Sequence, residues 1–192
     1  MNDKRLAERF VASLRAGNPP WRFPNNLHPD FEPLFGRFYG GEPRSVANAD
    51  FSVVDEIIGA VGVKVRHHWN CRRPQFNRGR DSIVLPIKAD FQDEAQYQTT
   101  RLHEVFHALE QPHRLGLDLR GHQAELIAEA GAGMLMSILR LPHDTDTTHV
   151  LRWVAWWALE IAIDPDYLYE SLAMAEEGVE YILNLLRRRA AA

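Results

Sequence analysis

The sequence of 192 residues has one cysteine, Cys71, and lacks a long uninterrupted apolar run. A single cysteine excludes an intramolecular disulfide and a thiolate-rich metal site within one chain, so a bound metal would depend on histidine and carboxylate ligands. The most apolar stretch, residues 153–163, is too short for a transmembrane helix and is interrupted by Glu160. Charged residues near the N-terminus replace the apolar centre of a signal peptide. We therefore expect a cytoplasmic protein that has no membrane partner.

Aspartate and glutamate are absent between residues 66 and 80, although the whole chain has a formal net charge of -4. Two aromatic residues, Trp69 and Phe76, lie among the basic side chains of this segment. Such a segment can bind a single-stranded nucleic acid, because phosphates attract the cations and bases stack on the rings. It can equally be a solvated loop whose arginines pair with carboxylates elsewhere. The candidate nucleic-acid contacts are Arg66, Arg72, Arg73 and Arg78.

Apolar residues at helical spacing predict a mainly helical chain with a small sheet, which is an α+β fold class. Glycines and prolines punctuate residues 18–48, which we expect to be extended. We divide the chain into an N-terminal part, residues 1–49, and a main domain, residues 50–192. The predicted helices cover residues 3–14, 53–61, 94–110, 122–141, 147–163 and 165–188, and the predicted strands cover residues 63–67 and 82–85.

The motif H-E-x-x-H occurs once, as His103, Glu104 and His107 within a predicted amphipathic helix. Residues four apart on a helix are separated by about 40° around the axis and about 6 Å along it, so both imidazoles can bind one ion. Glu104 is offset by about 100° from His103 and can accept a proton from a metal-bound water molecule. The motif therefore predicts two zinc ligands and a catalytic base.

A second pair of acids, Glu125 and Glu129, is also four residues apart on a predicted helix. Both lie on a mostly apolar stripe of this helix. Burial of a carboxylate costs free energy unless a hydrogen bond or an opposite charge compensates it. A metal offers compensation: one glutamate completes the protein ligands and the other accepts a hydrogen bond from a ligand imidazole. These residues alone leave the order of the two acids open. In zincins with such a pair the first acid binds the metal and the second steadies a ligand histidine, and similarity to that pattern implies Glu125 as the metal ligand and Glu129 as the partner of the imidazole, with the reverse order as the alternative.

His113 is a rival third ligand, because it follows His107 by six residues, as in the metzincin pattern H-E-x-x-H-x-x-G-x-x-H. The glycine of that pattern is replaced by Glu110, and Pro112 intervenes. Without the glycine, the sharp turn that returns a third histidine to the metal is less accessible. We therefore rank His113 behind Glu125.

With these motifs, residues 50–183 resemble the C-terminal zincin-type metallopeptidase domain of the ArdC-type antirestriction proteins. The resemblance rests on DSIVLP at 81–86, Phe91, Tyr97, Thr100, HEVFH at 103–107, Arg114-Leu115, ELIAE at 125–129, Trp157, Asp164 and YIL at 181–183. It implies a zincin-like fold, zinc bound by the two histidines and one of the two glutamates, and Glu104 as the catalytic residue. It also implies a protein or peptide substrate.

The chain departs from that family at two places. The family has a substantial N-terminal domain that binds single-stranded DNA, and residues 1–49 are too few to hold it; residues 14–21 resemble only its opening segment. A glycine that usually follows the second histidine is Glu110 here. The alternatives to a zinc peptidase are a non-catalytic, nucleic-acid-associated or antirestriction binding protein on a zincin scaffold, and an accessory module that uses the proline-rich segment.

Overall fold

The computed structural model describes residues 49–117, 119, 121–142, 157, 160–161, 163–164 and 166–191. The predicted helix at 3–14 and the predicted extended segment at 18–48 lie outside these residues. Most of the predicted helix at 147–163 lies outside them as well, although residues 157, 160, 161 and 163 are helical. The division of the chain at residue 49 therefore stays a prediction.

Helix α1, Ser52–Val61, places its regularly spaced valines and isoleucines in the core. It ends at Gly62, whose φ of 76° is a left-handed conformation that glycine adopts without steric cost. The backbone N–H of Gly62 donates to the carbonyl of Ile58 and so completes the last turn. The predicted helix at 53–61 is confirmed, and it leads directly into the sheet.

The sheet has three short strands: β1, Lys64–His67, β2, Gln75–Asn77, and β3, Ser82–Leu85. The central strand is β3, which pairs in parallel with β1 and antiparallel with β2. The predicted pairing of the segments at 63–67 and 82–85 is confirmed. Strand β2 was not predicted, because its three residues lie within the basic segment and follow a proline.

The remaining helices are α2, Glu94–Leu109, α3, His122–Ile138, and α4, Asp166–Ala190, and they confirm three further predicted helices and the α+β class. The Asp93 side chain caps α2 by accepting a hydrogen bond from the backbone N–H of Gln96 at 2.8 Å. Helix α3 packs between α2 and α4. This arrangement sets the polar face of α2 against the acidic first turns of α3.

Small residues allow α2, α3 and α4 to approach one another at Phe106. A Cβ atom added at Gly178 of α4 would lie 2.6 Å from the Phe106 ring, and one added at Gly131 of α3 would overlap the same ring. The ring therefore packs directly against both helix backbones. Because Phe106 is within the H-E-x-x-H segment, this contact fixes the position of the motif in the core.

Within the described part of the chain, we find no helix with the length and apolar character needed to cross a lipid bilayer.

Candidate metal centre

Three side chains from two helices converge on one point. On α2, the Nε2 atoms of His103 and His107 lie 3.2 Å apart. On α3, Glu125 faces both rings, with one carboxylate oxygen 3.5 Å from Nε2 of His103 and the other 3.7 Å from Nε2 of His107. All three side chains are partly buried. The separation of four residues along α2 therefore does bring both imidazoles to one place, together with the carboxylate expected from α3.

The separations among these atoms fit a small tetrahedral ion. Two ligand atoms that are each about 2.0–2.2 Å from such an ion are about 3.3–3.6 Å apart. The three measured separations, 3.2, 3.5 and 3.7 Å, lie close to these values. Two imidazole nitrogens and one carboxylate also match the donor set of many catalytic zinc sites, which leave a fourth position open. The residues present therefore fit a divalent metal.

The outer nitrogen of each imidazole contacts its own carboxylate. Nδ1 of His103 lies 3.2 Å from Glu129 on α3, and Nδ1 of His107 lies 2.8 Å from Glu110 at the end of α2. A protonated Nδ1 donates to the carboxylate, so that Nε2 is the nitrogen available to a metal. Both rings are therefore held with Nε2 directed toward the shared point.

The acids around His103 affect its protonation. Burial lowers the pKa of His103, but hydrogen bonds to Glu125 and Glu129 and the negative charges of Glu129 and Glu104 outweigh this effect and raise the pKa to about 10. In the metal-free chain the ring is therefore a cation at neutral pH. Its charge partly compensates the surrounding carboxylates, which is the compensation that a metal cation would also provide.

Glu104 lies beside the histidines and is only 4% exposed. Burial raises the pKa of its carboxyl, whereas the charges of His103 and His107 and a hydrogen bond from the backbone of Phe76 lower it, with a net rise. The carboxylate is thus held by the backbone of β2, and its Oε2 is a buried atom without a hydrogen-bond partner among the described residues.

The other predicted site residues, His113 and the four arginines, contribute no ligand atom to the cluster of His103, His107 and Glu125. His113 is exposed and its Nε2 lies 3.4 Å from Asp81, so the structure places this rival ligand at a different carboxylate. Arg78 forms an ion pair with Glu110 and is therefore not an unpaired cation. Arg66, Arg72 and Arg73 are exposed on the surface. Trp69, which lies between them in sequence, is 79% exposed.

Glu110 is the site residue that the sequence reasoning missed. It was noted only as the replacement for a glycine, yet its carboxylate is 2% exposed and contacts both His107 and Arg78. A signal was present, because Glu110 follows His107 by three residues, a spacing that puts two side chains on the same face of a helix. The contact of Phe76 with Glu104 had no such signal, because it involves the backbone of an unpredicted strand.

Comparisons with known proteins agree with this geometry. The family of zincin-like metallopeptidases matches residues 52–171. DNA primase TraC of Escherichia coli is 31% identical over 136 residues, which are 67% of this chain and 12% of that protein. The uncharacterized protein y4eC of Sinorhizobium fredii is 23% identical over 135 residues, 67% of this chain and 43% of that protein. The chain thus spans less than half the length of either relative.

Two solved structures share the fold. They are crystal structures of the antirestriction protein ArdC from plasmid R388, one with Mn(II) bound and one without metal. Both are 19% identical to this chain, cover 97% of it and 98% of the solved chain, and have TM-scores of 0.72 and 0.73. The fold is therefore the zincin-like α+β fold of ArdC. Because the family matches most of the sequence, the chain belongs to the zincin-like metallopeptidases.

Proposed function

We propose that this chain is a zinc-dependent peptidase that hydrolyses a protein or peptide substrate. The proposal is carried by one observation: His103, His107 and Glu125 converge on a single point beside the buried Glu104. Two imidazoles from an H-E-x-x-H helix and one glutamate are the ligand set of zinc peptidases such as thermolysin, which supports zinc as the metal. Membership in the zincin-like metallopeptidase family supports the reaction class, and the Mn(II)-bound form of ArdC supports a divalent cation.

Each side chain has a separate role in this proposal. His103, His107 and Glu125 hold the ion, while Glu129 and Glu110 orient the two imidazoles. A bound zinc ion supplies Lewis acidity toward the substrate carbonyl and makes water more acidic. Glu104 accepts a proton from the attacking water and returns it to the departing amine.

The free oxygen of Glu104 is what suits it to proton transfer. A buried oxygen that makes no hydrogen bond costs about 1–3 kcal/mol, and Oε2 of Glu104 is such an atom among the described residues. The hydrogen bond from the backbone of Phe76 fixes the other side of the carboxylate. A water molecule bound in the site could donate a hydrogen bond to Oε2 of Glu104. That water would then lie next to the base that accepts its proton.

The test of the proposal is Glu104→Gln in the zinc-loaded protein. The change preserves size and leaves the metal ligands in place, so folding and zinc content should match wild type while hydrolysis falls by about 10²–10⁴-fold. Cleavage of a broad peptide library is followed by mass spectrometry. Glu176→Gln, on an exposed face of α4, is the control and should cleave as wild type does. Unchanged cleavage by Glu104→Gln, or none by wild type, would overturn the proposal.

We further infer that the biological setting is antirestriction. The support is the fold, which the chain shares with the ArdC antirestriction protein over 97% of its length at 19% identity. A peptidase in that setting would act on a protein of the restriction machinery. Incubation of zinc-loaded protein with a purified restriction enzyme, followed by gel analysis, tests this step; an intact enzyme in the presence of active peptidase would argue against it.

The second candidate is a non-catalytic, nucleic-acid-associated protein on the same scaffold. Two observations favour it: the exposed Trp69 lies among exposed arginines, and one relative is named a DNA primase. In this case the metal would stabilise the fold, and no peptide would be cleaved. The two candidates differ in their response to Glu104→Gln, which affects hydrolysis but not binding to a single strand.

A further inference from the structure

We infer that Arg78 and Glu110 act as a positioning pair that orients His107 toward the metal, an inference that rests on the proposed zinc function. Glu110 directly follows α2, and its side chain is 2% exposed. Its Oε1 accepts a hydrogen bond from Nδ1 of His107 at 2.8 Å, and its Oε2 pairs with the guanidinium of Arg78. One carboxylate thus connects a candidate metal ligand to the basic segment.

Arg78 supplies the compensation that a buried carboxylate requires. A charged group taken out of water is retained in the fold only when other charges or hydrogen bonds replace its hydration. His107 provides Glu110 with one donor on one oxygen, and Arg78 provides a cation on the other. The Arg78 side chain is 58% exposed, so the arginine remains largely hydrated while its tip reaches the buried acid.

The backbone on both sides of Arg78 is anchored. Before it, the side chain of Asn77 accepts a hydrogen bond from the backbone N–H of Arg80 at 2.9 Å. After it, Asp81 accepts two hydrogen bonds from Arg114, at 2.7 and 2.9 Å. The short 3₁₀ helix Arg78–Arg80 is therefore held at each end. A side chain on such a support can fix the position of Glu110 and, through it, of His107.

The two histidines depend on different elements for their orientation. His103 is held by Glu129 of α3, whereas His107 is held by Glu110 and therefore by the segment between the strands. Loss of Glu110 should consequently release one imidazole and leave the other in place. This asymmetry gives a measurement that general destabilisation of the fold would not reproduce.

The experiment uses nuclear magnetic resonance of the full chain, with and without zinc, to observe the Nδ1–H protons of the imidazoles that hydrogen bonds protect from exchange. Wild type should show one such signal for each of His103 and His107. Glu110→Ala should remove only the His107 signal, and Glu129→Ala only the His103 signal. Glu110→Gln, whose amide oxygen can still accept, should retain it. Arg80→Ala, two residues from Arg78 in the same 3₁₀ helix, is the matched control and should change neither.

Zinc affinity provides the second measurement. Glu110→Ala should weaken zinc binding by about 10–100-fold, the usual effect of removing a residue that orients a ligand. Arg78→Ala should weaken it less, and it should add nothing in the Glu110→Ala background, because Arg78 acts through Glu110. Equal zinc affinities of Arg78→Ala and Arg80→Ala would remove Arg78 from the pair.

The outcomes separate this inference from the proposed function. If wild type binds no zinc, the proposed function fails, while the signals of the metal-free chain still decide whether Glu110 holds His107. If wild type binds zinc and Glu110→Ala keeps both signals and full affinity, the positioning pair is overturned. Should Glu110→Ala fail to fold, the comparison of Arg78→Ala with Arg80→Ala decides the question on folded proteins.

Discussion

Nδ1 of His103 lies 3.2 Å from a carboxylate oxygen of Glu129, while Nε2 of the same ring lies 3.5 Å from Glu125. The two glutamates are four residues apart on α3 and therefore lie one helical turn apart. Glu129 contacts the Nδ1 side of the imidazole, and Glu125 contacts the Nε2 side. Only the Nε2 side also faces His107. The geometry therefore gives the two acids unequal parts in metal binding.

The first prediction ranks three variants by their zinc affinity. Glu125→Ala removes a ligand and should weaken binding by well over about 100-fold, whereas Glu129→Ala removes only a hydrogen bond to a ligand and should weaken it about 10–100-fold. His113→Ala should have little effect, because His113 contacts Asp81 instead. Competition titration with a chelator at neutral pH measures all three.

His113→Ala serves as the control for this ranking, since it removes an imidazole from the segment after α2 that contacts Asp81 and not the three candidate ligands. If it proves the most damaging of the three, the ligand set is wrong. If Glu129→Ala is worse than Glu125→Ala, the two acids exchange roles and the set of two histidines and one glutamate is kept.

The local part of the candidate site could be predicted from the sequence, and the tertiary part could not. Helical spacing placed His103 and His107 on one face, because that relationship depends only on the helix. The meeting of Glu125 with those rings depends on how α3 packs against α2, so the residue pattern alone offered both acids, and the preference for Glu125 came from the order of acids in zincins. Strand β2 could not be predicted from the sequence, because three residues are too few to show the alternation of apolar and polar residues that indicates a strand.

Contacts between residues distant in sequence explain why the roles of Arg78 and Glu110 were not predicted. The sequence also allowed a solvated basic segment whose arginines pair with carboxylates elsewhere in the chain. Arg78 fits this description, because it pairs with Glu110, which is 32 residues away in sequence. Nothing in the local pattern distinguishes Arg78 from the exposed Arg72 and Arg73. The role of Glu110 depends on the same contact, which exists only when the sheet and the end of α2 are adjacent.

The second prediction concerns the packing of Phe106. Alanine normally stabilises a helix relative to glycine, by about 1 kcal/mol, but a methyl group at Gly131 would overlap the Phe106 ring. Overpacking of a core costs about 1–3 kcal/mol. The two effects leave a net loss of up to about 2 kcal/mol in the free energy of unfolding of Gly131→Ala, which urea denaturation measures.

A matched glycine tests whether the ring is the cause. At Gly59 of α1, an added Cβ would meet only the flexible end of Arg189, which can move away. Gly59→Ala should therefore be neutral or stabilising. Phe106→Leu should reduce the penalty of Gly131→Ala, because a smaller side chain leaves room for the methyl group. Equal effects of alanine at both glycines would contradict this account.

The third prediction is a pH dependence of stability at Asp81. Its side chain is 38% exposed and accepts hydrogen bonds from Arg114, which is 3% exposed. The hydrogen bond from Arg114 holds the pKa of Asp81 below its usual value of 3.8, against the opposing effect of burial. A carboxyl with a lowered folded-state pKa stabilises the fold above the unfolded-state pKa, and this contribution is lost as pH falls through the folded-state value.

Asp81→Asn should therefore lower the free energy of unfolding by about 1 kcal/mol near neutral pH. The value is modest because the carboxylate is partly solvated. The difference from wild type should shrink progressively once the pH falls below about 4. Urea denaturation of both proteins across the pH range measures it. Asp166→Asn, at the exposed start of α4, is a control without an arginine partner among the described contacts. A difference that stays constant with pH would remove the Asp81 charge from the explanation.

The last prediction concerns four exposed residues of the basic segment, Arg66, Trp69, Arg72 and Arg73, which we call the basic surface. It separates the two proposed functions. If this surface binds a single-stranded nucleic acid, the affinity should fall steeply with salt, because each phosphate contact releases counterions. Replacing Arg72 and Arg73 by alanine removes two such contacts and should reduce the slope of log affinity against log salt by about 1.4.

Trp69→Ala should act differently, because stacking of a base on a ring contributes about 1–3 kcal/mol without neutralising a phosphate. It should weaken binding at every salt concentration and leave the slope unchanged. The double variant Arg187→Ala, Arg188→Ala changes the net charge equally at the exposed end of α4, so it controls for long-range electrostatics. Fluorescence titration of an oligonucleotide measures all four proteins. Two results would contradict nucleic-acid binding at the basic surface: equal slopes for the Arg72/Arg73 and Arg187/Arg188 double variants, or an affinity that does not depend on salt. Either result would favour the peptidase over the nucleic-acid-associated protein.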